Sequence, residues 1–114
     1  MKYSIKKTQE FKEIYKKRKS FSNDFFVLYT NENINNDYNR LGISVSKKVG
    51  NSVIRHKIKR RIRDIFYRNN DSLKKVYDIV IVCKNTISKI CYKELNDSFI
   101  ELCRKQKILK ESND

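Results

Sequence analysis

The chain reads as a single α+β domain in the order α-β-β-α-β-α, with a small central sheet. Three observations lead there. Three segments set apolar residues three and four apart, which lines up one face of a helix. Three short runs between them are rich in aromatic and β-branched residues, the composition of strands. Proline is absent and glycine stands only at Gly42 and Gly50, so nothing divides the 114 residues into separate units.

Thr8 is placed to cap a first helix reaching about Lys17, with Phe11, Ile14 and Tyr15 on one face. Residues 25–30 (FFVLYT) form the first strand, in which Phe26 and Leu28 point one way and Phe25, Val27 and Tyr29 the other. Residues 31–39 are polar and asparagine-rich, and read as a surface loop. In the second strand, residues 41–46, Leu41, Ile43 and Val45 alternate with Gly42, Ser44 and Ser46; one face meets the core and the other is left open. Gly50 and Asn51 then break the chain, and Asn51 or Ser52 can cap a second helix. Residues 77–82 (YDIVIV) are apolar on both faces beyond Asp78, as in a central strand. Residues 92–105 close the domain as a helix with Tyr92, Leu95, Phe99, Leu102 and Cys103 on its inner face.

The formal charge is +14, and its placement is informative. Residues 1–19 carry eight basic and two acidic side chains; residues 47–68 carry nine and one. The remainder balances to zero. Such an excess repels itself and answers a polyanionic partner. A basic run is otherwise a solvated face or a disordered tail. The second block differs from both, because apolar residues thread it at helical spacing. Ile54, Ile58, Ile62, Ile65 and Phe66 fall on one side of that helix, and His56, Lys59, Arg60, Arg63 and Tyr67 on the other, with Arg55, Lys57 and Arg61 at the boundary. An isoleucine anchor makes the cations a fixed array suited to phosphates. Asp64 is the one acidic residue of the segment, so pairing along the helix does not account for the composition.

Other classes of function find less support. Cys83, Cys91 and Cys103 are odd in number and lack C-x-x-C spacing, which reads as reduced, mostly buried thiols in a reducing compartment. The single histidine, His56, lies in the basic block, so ligands for a metal are too few. No run is long and apolar enough to span a membrane and no secretory signal opens the chain, which reads as a soluble cytoplasmic protein. The aromatic residues admit two readings. Tyr29 and Val27 face the side of Gly42, Ser44 and Ser46, where Phe11 and Tyr15 can wall a groove beside Lys12, Lys16 and Lys17. Aromatics among cations hold single-stranded RNA by stacking and neutralisation. The plain alternative is that Phe11 and Tyr15 only pack the first helix down, and spacing alone leaves both open.

The run Ser46-Lys47-Lys48-Val49-Gly50-Asn51-Ser52-Val53-Ile54-Arg55-His56-Lys57-Ile58-Lys59-Arg60-Arg61-Ile62-Arg63 closely resembles the signature of the bacterial ribonuclease P protein subunit. The resemblance takes in residues 25–30 and 41–46 and extends, in element order and length, over nearly the whole chain. It implies a left-handed strand-helix-strand crossover through the basic helix, against the usual rule. It implies an auxiliary subunit of an endonuclease whose catalyst is a large RNA. The complex hydrolyses one phosphodiester to remove the 5′ leader of precursor tRNA. The protein then has no catalytic side chain; it binds the leader and stabilises the RNA's active form. Mg2+ belongs to the holoenzyme, positioned mainly by RNA, with no cofactor or metal on the protein itself. The implied partners are one ribonuclease P RNA and the precursor leader, with no membrane and no obligate protein partner.

Position by position, Arg55, Lys59, Arg60 and Arg63 match the family's basic signature. Its usual Arg-Asn-Arg falls on Arg55-His56-Lys57, exchanging an amide for an imidazole and a two-pronged guanidinium for a point charge. With Lys47, Lys48 and Asn51 these residues form the implied surface for the catalytic RNA. The family's leader-cleft aromatics fall on Phe11, Tyr15 and Tyr29, beside Val27 and Lys12. A non-enzymatic RNA-binding protein of ribosomal type is the main rival; a basic helix on a sheet suits it equally, and the aromatic cleft argues against it. A DNA reader would ask for a helix-turn-helix or a dimer. A membrane-surface helix would need large apolar residues beside its cations.

Overall fold

The apolar run at Tyr77–Cys83 (β4) takes the centre of the sheet, and the other elements arrange around it. The computed structural model describes residues 3–110. Before β4 come α1 (Thr8–Lys16), β1 (Ser20–Ser22), β2 (Phe26–Glu32), β3 (Arg40–Ser44) and α2 (Ser52–Asn69); α3 (Tyr92–Lys105) follows it. Short 3-10 turns stand at Asn70–Ser72 and Asn85–Lys89. The strand order is β1-β2-β4-β3, with β2 antiparallel and β3 parallel to β4. β4 therefore has neighbours on both edges and helices over both faces, which is why its residues are apolar on both sides.

Alternation along the strands sorts the core into two layers. Phe26, Leu28, Leu41, Ile79 and Ile81 face Ile58, Ile62, Ile65 and Phe66 of α2 and Leu95, Phe99, Leu102 and Cys103 of α3. On the other face Val80 packs with Ile5 and Ile14, flanked by Phe11, Tyr15, Tyr29 and Val82. The chain after α3 returns to the turn after α2: Lys74 N–H donates to the Ile108 carbonyl at 2.7 Å and Lys110 N–H to that of Ser72 at 2.8 Å. Gln106 ties the end of α3 to the hairpin, donating to the carbonyls of Leu28 (3.0 Å) and Lys19 (3.1 Å) and accepting from the Thr30 hydroxyl.

Several expectations need correction. Thr8 is the first helical residue rather than a cap; Lys7 holds the cap position and no side chain bonds there. The strand β1 was not expected, because Ser-Phe-Ser has no apolar alternation and all three residues are exposed. It pairs Ser20 with Tyr29 and Ser22 with Val27, behind a turn in which Asn23 Oδ1 accepts from the N–H groups of Phe25 and Phe26. The loop before β3 is not wholly a surface feature: Asn39 is fully buried, accepting from Tyr77 N–H at 2.7 Å and donating to Asn70 Oδ1 at 3.0 Å. The Gly42 face of β3 is not open at Gly42, since α1 lies across it. Tyr92 is exposed and donates its hydroxyl to Asp64. Among the thiols, Cys83 and Cys103 are buried and Cys91 is exposed. Burial pushes the Cys83 and Cys103 thiols up to about 12, with Lys59 opposing the shift at Cys83, so both stay protonated and inert near neutral pH.

Ile54 also departs from the expected anchor. It is 38% exposed, whereas Ile58, Ile62, Ile65 and Phe66 are at most 5% exposed. The first turn of α2 overhangs the sheet, and Ile54 lies over Gly50, where any Cβ would stand 2.9 Å from its side chain. The anchor is thus three isoleucines and a phenylalanine. Ile62→Ala is expected to cost about 2–5 kcal/mol in urea unfolding followed by circular dichroism. Ile54→Ala is expected to cost about 1 kcal/mol or less. Equal losses would contradict this division of the helix.

Candidate nucleic-acid interface

Asn51 begins the basic surface by starting its helix. Its Oδ1 accepts from Ile54 N–H at 3.0 Å, so the cap is Asn51 rather than Ser52. That commits its carbonyl oxygen and leaves its amide group as the donor available to RNA. With the apolar stripe held down, Lys47, Lys48, His56, Lys57 and Arg60 are exposed, and Arg55, Lys59, Arg61 and Arg63 are half-buried. A groove of about 390 Å³ separates residues 45–47 from α2 and is lined by Lys47, Arg55, His56 and Lys59 with Ser46 and Ser52. This brings together the basic residues on either side of Gly50, while Lys57 and Arg60 stand outside the groove.

Charge pairing leaves this surface intact. Asp64 bonds Arg68 at 2.9 Å and also accepts from Tyr92. The Tyr92 hydroxyl first, and Arg68 second, hold the Asp64 carboxyl below its ordinary range. Among the described residues no carboxylate pairs with Arg55, Lys57, Lys59, Arg60, Arg61 or Arg63. These cations lie on a rigid helix that cannot rearrange to neutralise itself.

The aromatic groove lies on the opposite sheet face. Strand register sets Tyr29, Val80 and Gly42 in one row and Val27, Val82 and Ser44 in the next. α1 crosses the first row. A Cβ on Gly42 would lie 2.8 and 2.9 Å from ring atoms of Phe11, so only glycine admits that ring. Tyr15 meets Tyr29 edge to face at 4.9 Å and Phe11 at 6.3 Å. Burial first, and Tyr29 second, push the Tyr15 phenol above its ordinary value, while its hydrogen bond with Ser44 acts the other way. Phe11, Tyr15, Val27 and Tyr29 are all half-buried, and Lys12 is exposed beside Phe11. The five expected residues thus share one side of the molecule, floored by Val82 and Ser44.

α1 is held there by a tie that no motif of the sequence announces. Arg40 makes a two-pronged contact with Asp78, Nε and Nη2 each at 2.9 Å from its oxygens, and reaches Glu10 of α1 at 2.8 Å. Asn33 adds a bond to Asp78 at 3.1 Å. These charge-assisted contacts with Asp78, foremost, raise the Arg40 guanidinium above its ordinary value. The one signal in the sequence was Asp78 itself, a carboxylate within an otherwise apolar strand that requires a buried partner.

Known proteins supply an independent comparison. The family model described as Ribonuclease P matches residues 1–107. The chain belongs to the ribonuclease P protein family. The "Ribonuclease P protein component" of Clostridium kluyveri is 46% identical over 110 residues, covering 95% of this chain and 97% of the relative. That of Alkaliphilus oremlandii is 40% identical over 105 residues, covering 92% and 91%. Among solved structures, the Staphylococcus aureus RNase P protein superposes with a TM-score of 0.87 at 38% identity, over 95% of this chain and 98% of that one. The Thermotoga maritima RNase P protein gives 0.81 at 31% identity, over 90% and 96%. Membership carries an RNA partner and sets aside the ribosomal-type and DNA-reading alternatives.

The packing of Phe11 on Gly42 is open to a direct check. Gly42→Ala forces the ring aside and is expected to cost about 1–3 kcal/mol in thermal unfolding. Most of that loss should vanish when Phe11→Ala is present as well. An unchanged cost in the double variant would place the clash elsewhere.

Proposed function

We propose that this chain is the protein subunit of ribonuclease P and assists an RNA subunit, the catalyst, in removing the 5′ leader of precursor tRNA. The observation that carries this is the pair of unlike surfaces on opposite faces of one sheet. The cations of α2 from Arg55 to Arg63, which pair with no carboxylate among the described residues, suit the dense phosphates of a folded RNA. The half-buried aromatics beside Lys12 suit an unpaired strand, whose bases stack without a sequence code. In this reading Lys47, Lys48, Asn51, Arg55, His56, Lys57, Lys59, Arg60 and Arg63 hold the catalytic RNA, and Phe11, Lys12, Tyr15, Val27 and Tyr29 receive the leader.

The reaction is phosphodiester hydrolysis, leaving a 5′-phosphate on the tRNA. The protein's part is positioning: it neutralises RNA phosphates and fixes the leader relative to the RNA's active site. Mg2+ would supply activation of water and charge stabilisation when bound by the holoenzyme. Among the described residues no three His, Cys, Asp or Glu side chains gather as a metal site. RNA phosphates are the natural donors, in a one-to-one complex.

Reconstitution tests the whole reading: added to a bacterial ribonuclease P RNA at low Mg2+, the protein should stimulate cleavage at the mature 5′ end. No stimulation with any class of that RNA would refute it. The two surfaces separate by their variants. Arg60→Ala with Arg63→Ala should weaken binding to the catalytic RNA and reduce the salt slope of log K by about 1 to 2; an unaltered slope would remove these arginines from phosphate contact. Tyr15→Ala with Tyr29→Ala should weaken leader-bearing precursor selectively, by about tenfold or more. Equal losses for precursor and mature tRNA would sink the cleft assignment.

A further inference from the structure

A second aromatic site stands at the far end of the cationic ridge, where α2 meets the N-terminal segment. Tyr3 contacts Tyr67 edge to face at 6.2 Å and Tyr38 at 5.3 Å, and Phe66 backs Tyr67 at 5.7 Å. Tyr3, Tyr67 and Phe66 border a hollow of about 190 Å³ that also takes in Lys59, Arg63 and Ile43. Pockets for drug-sized molecules run to ~300–1,000 Å³, so this hollow suits a single flat ring system. Tyr67 remains 42% exposed at its mouth.

The backbone contributes a polar edge. β3 is the outer strand of the sheet, and its free side is only partly covered by the N-terminal segment. Leu41 turns its N–H to the Tyr3 carbonyl (2.7 Å) and its carbonyl to Ile5 N–H (2.9 Å). By the two-residue alternation of a strand, Ile43 turns its own N–H and C=O the same way. No backbone group among the described residues meets them there. A donor and an acceptor side by side match the edge of a nucleobase, which presents the same pairing when unstacked.

We propose that this hollow binds one unpaired nucleotide of the catalytic RNA, its base against Tyr67 and Tyr3 and its phosphate on Arg63 and Lys59. Arg63 and Lys59 are four residues apart on one ridge of α2 and have no carboxylate partner among the described residues, so they flank the rings with positive charge. The hollow shares these cations with the surface assigned to the catalytic RNA, and the leader cleft occupies the opposite sheet face. The proposal rests on the reading of α2 as that surface. It adds a base-reading element to what is otherwise a phosphate-binding helix.

The chain contains no tryptophan, so Tyr67→Trp creates a reporter at this position alone. Stacking predicts that a bacterial ribonuclease P RNA quenches the indole, whereas a fully paired RNA duplex binds without comparable quenching. Tyr67→Ala should weaken affinity for the catalytic RNA by roughly 5- to 150-fold with no change in salt slope, and Tyr67→Phe should restore it. Circular dichroism of each variant reports whether it folds. Equal quenching by the duplex, or wild-type affinity in a folded Tyr67→Ala protein, overturns the pocket and leaves the phosphate role of α2 standing. Failure of the wild-type protein to bind the RNA overturns the functional reading itself, and the pocket with it.

Discussion

The parallel pairing of β3 with β4 is the constraint on which the rest of the molecule depends. Parallel neighbours cannot be joined by a hairpin, so the chain must leave the sheet, cross one face and return. Here α2 makes that crossing. Its apolar side is then drawn down by Leu41, Ile79 and Ile81, and its cations are driven to the solvent side. Burying a side chain of this size contributes about 1.5–3 kcal/mol, so the stripe of Ile58, Ile62, Ile65 and Phe66 outweighs the repulsion among the charges above it. A cationic surface with Asp64 as its one carboxylate is unfavourable in isolation. Covalent topology and apolar burial together keep it in place.

The other face is organised by a buried charge. Asp78 sits in a central strand and is 4% exposed, which would be costly if it stood alone. Arg40 of the neighbouring strand meets it with two bonds, and the same guanidinium reaches Glu10 on α1. The contact is weak evidence for stability, since such pairs often only break even against apolar replacements. Its value is orientation. Phe11 follows Glu10 directly, and the Arg40 anchor sets the turn of α1 that lowers the Phe11 ring onto Gly42. One end of α1 is thereby fixed by charge and its middle by the lack of a Cβ, while Tyr15 is carried to Tyr29 and Ser44.

Periodicity made much of this legible. The bounds of α3 and the central place of β4 were readable because their patterns are long and unambiguous. A cap at Asn51 or Ser52 was readable from the break at Gly50, and the structure selects Asn51. Ile54 and Tyr92 were misassigned for one reason: a helical wheel shows which side a residue lies on, and says nothing of where a helix overhangs its support. The strand β1 was invisible because backbone bonds to β2, rather than side-chain burial, create it. Asn39 and Gln106 read as ordinary polar residues, since what distinguishes them is the set of distant backbone groups they satisfy. For the site, the outward placement of the α2 cations and the gathering of Phe11, Tyr15, Val27 and Tyr29 on one sheet face were readable, but the tie through Arg40 joins residues from three separate elements and leaves no local pattern.

The two surfaces are joined by a single strand. Side chains alternate along β3, so Gly42 and Ser44 belong to the aromatic face while Ile43 borders the hollow beside α2, and Val45, just past the strand, borders the groove there. Consecutive residues therefore reach opposite surfaces through a backbone held by β4 along its length. A strand in a sheet has little freedom to flex between neighbouring residues, so an RNA seated on α2 and a strand lying in the cleft would be held at a fixed spacing with no hinge between them. If the chemistry is left to RNA, as proposed, that rigidity is the contribution the protein would make. It would convert two binding events into one defined geometry, which is the entropic part of a catalyst's work.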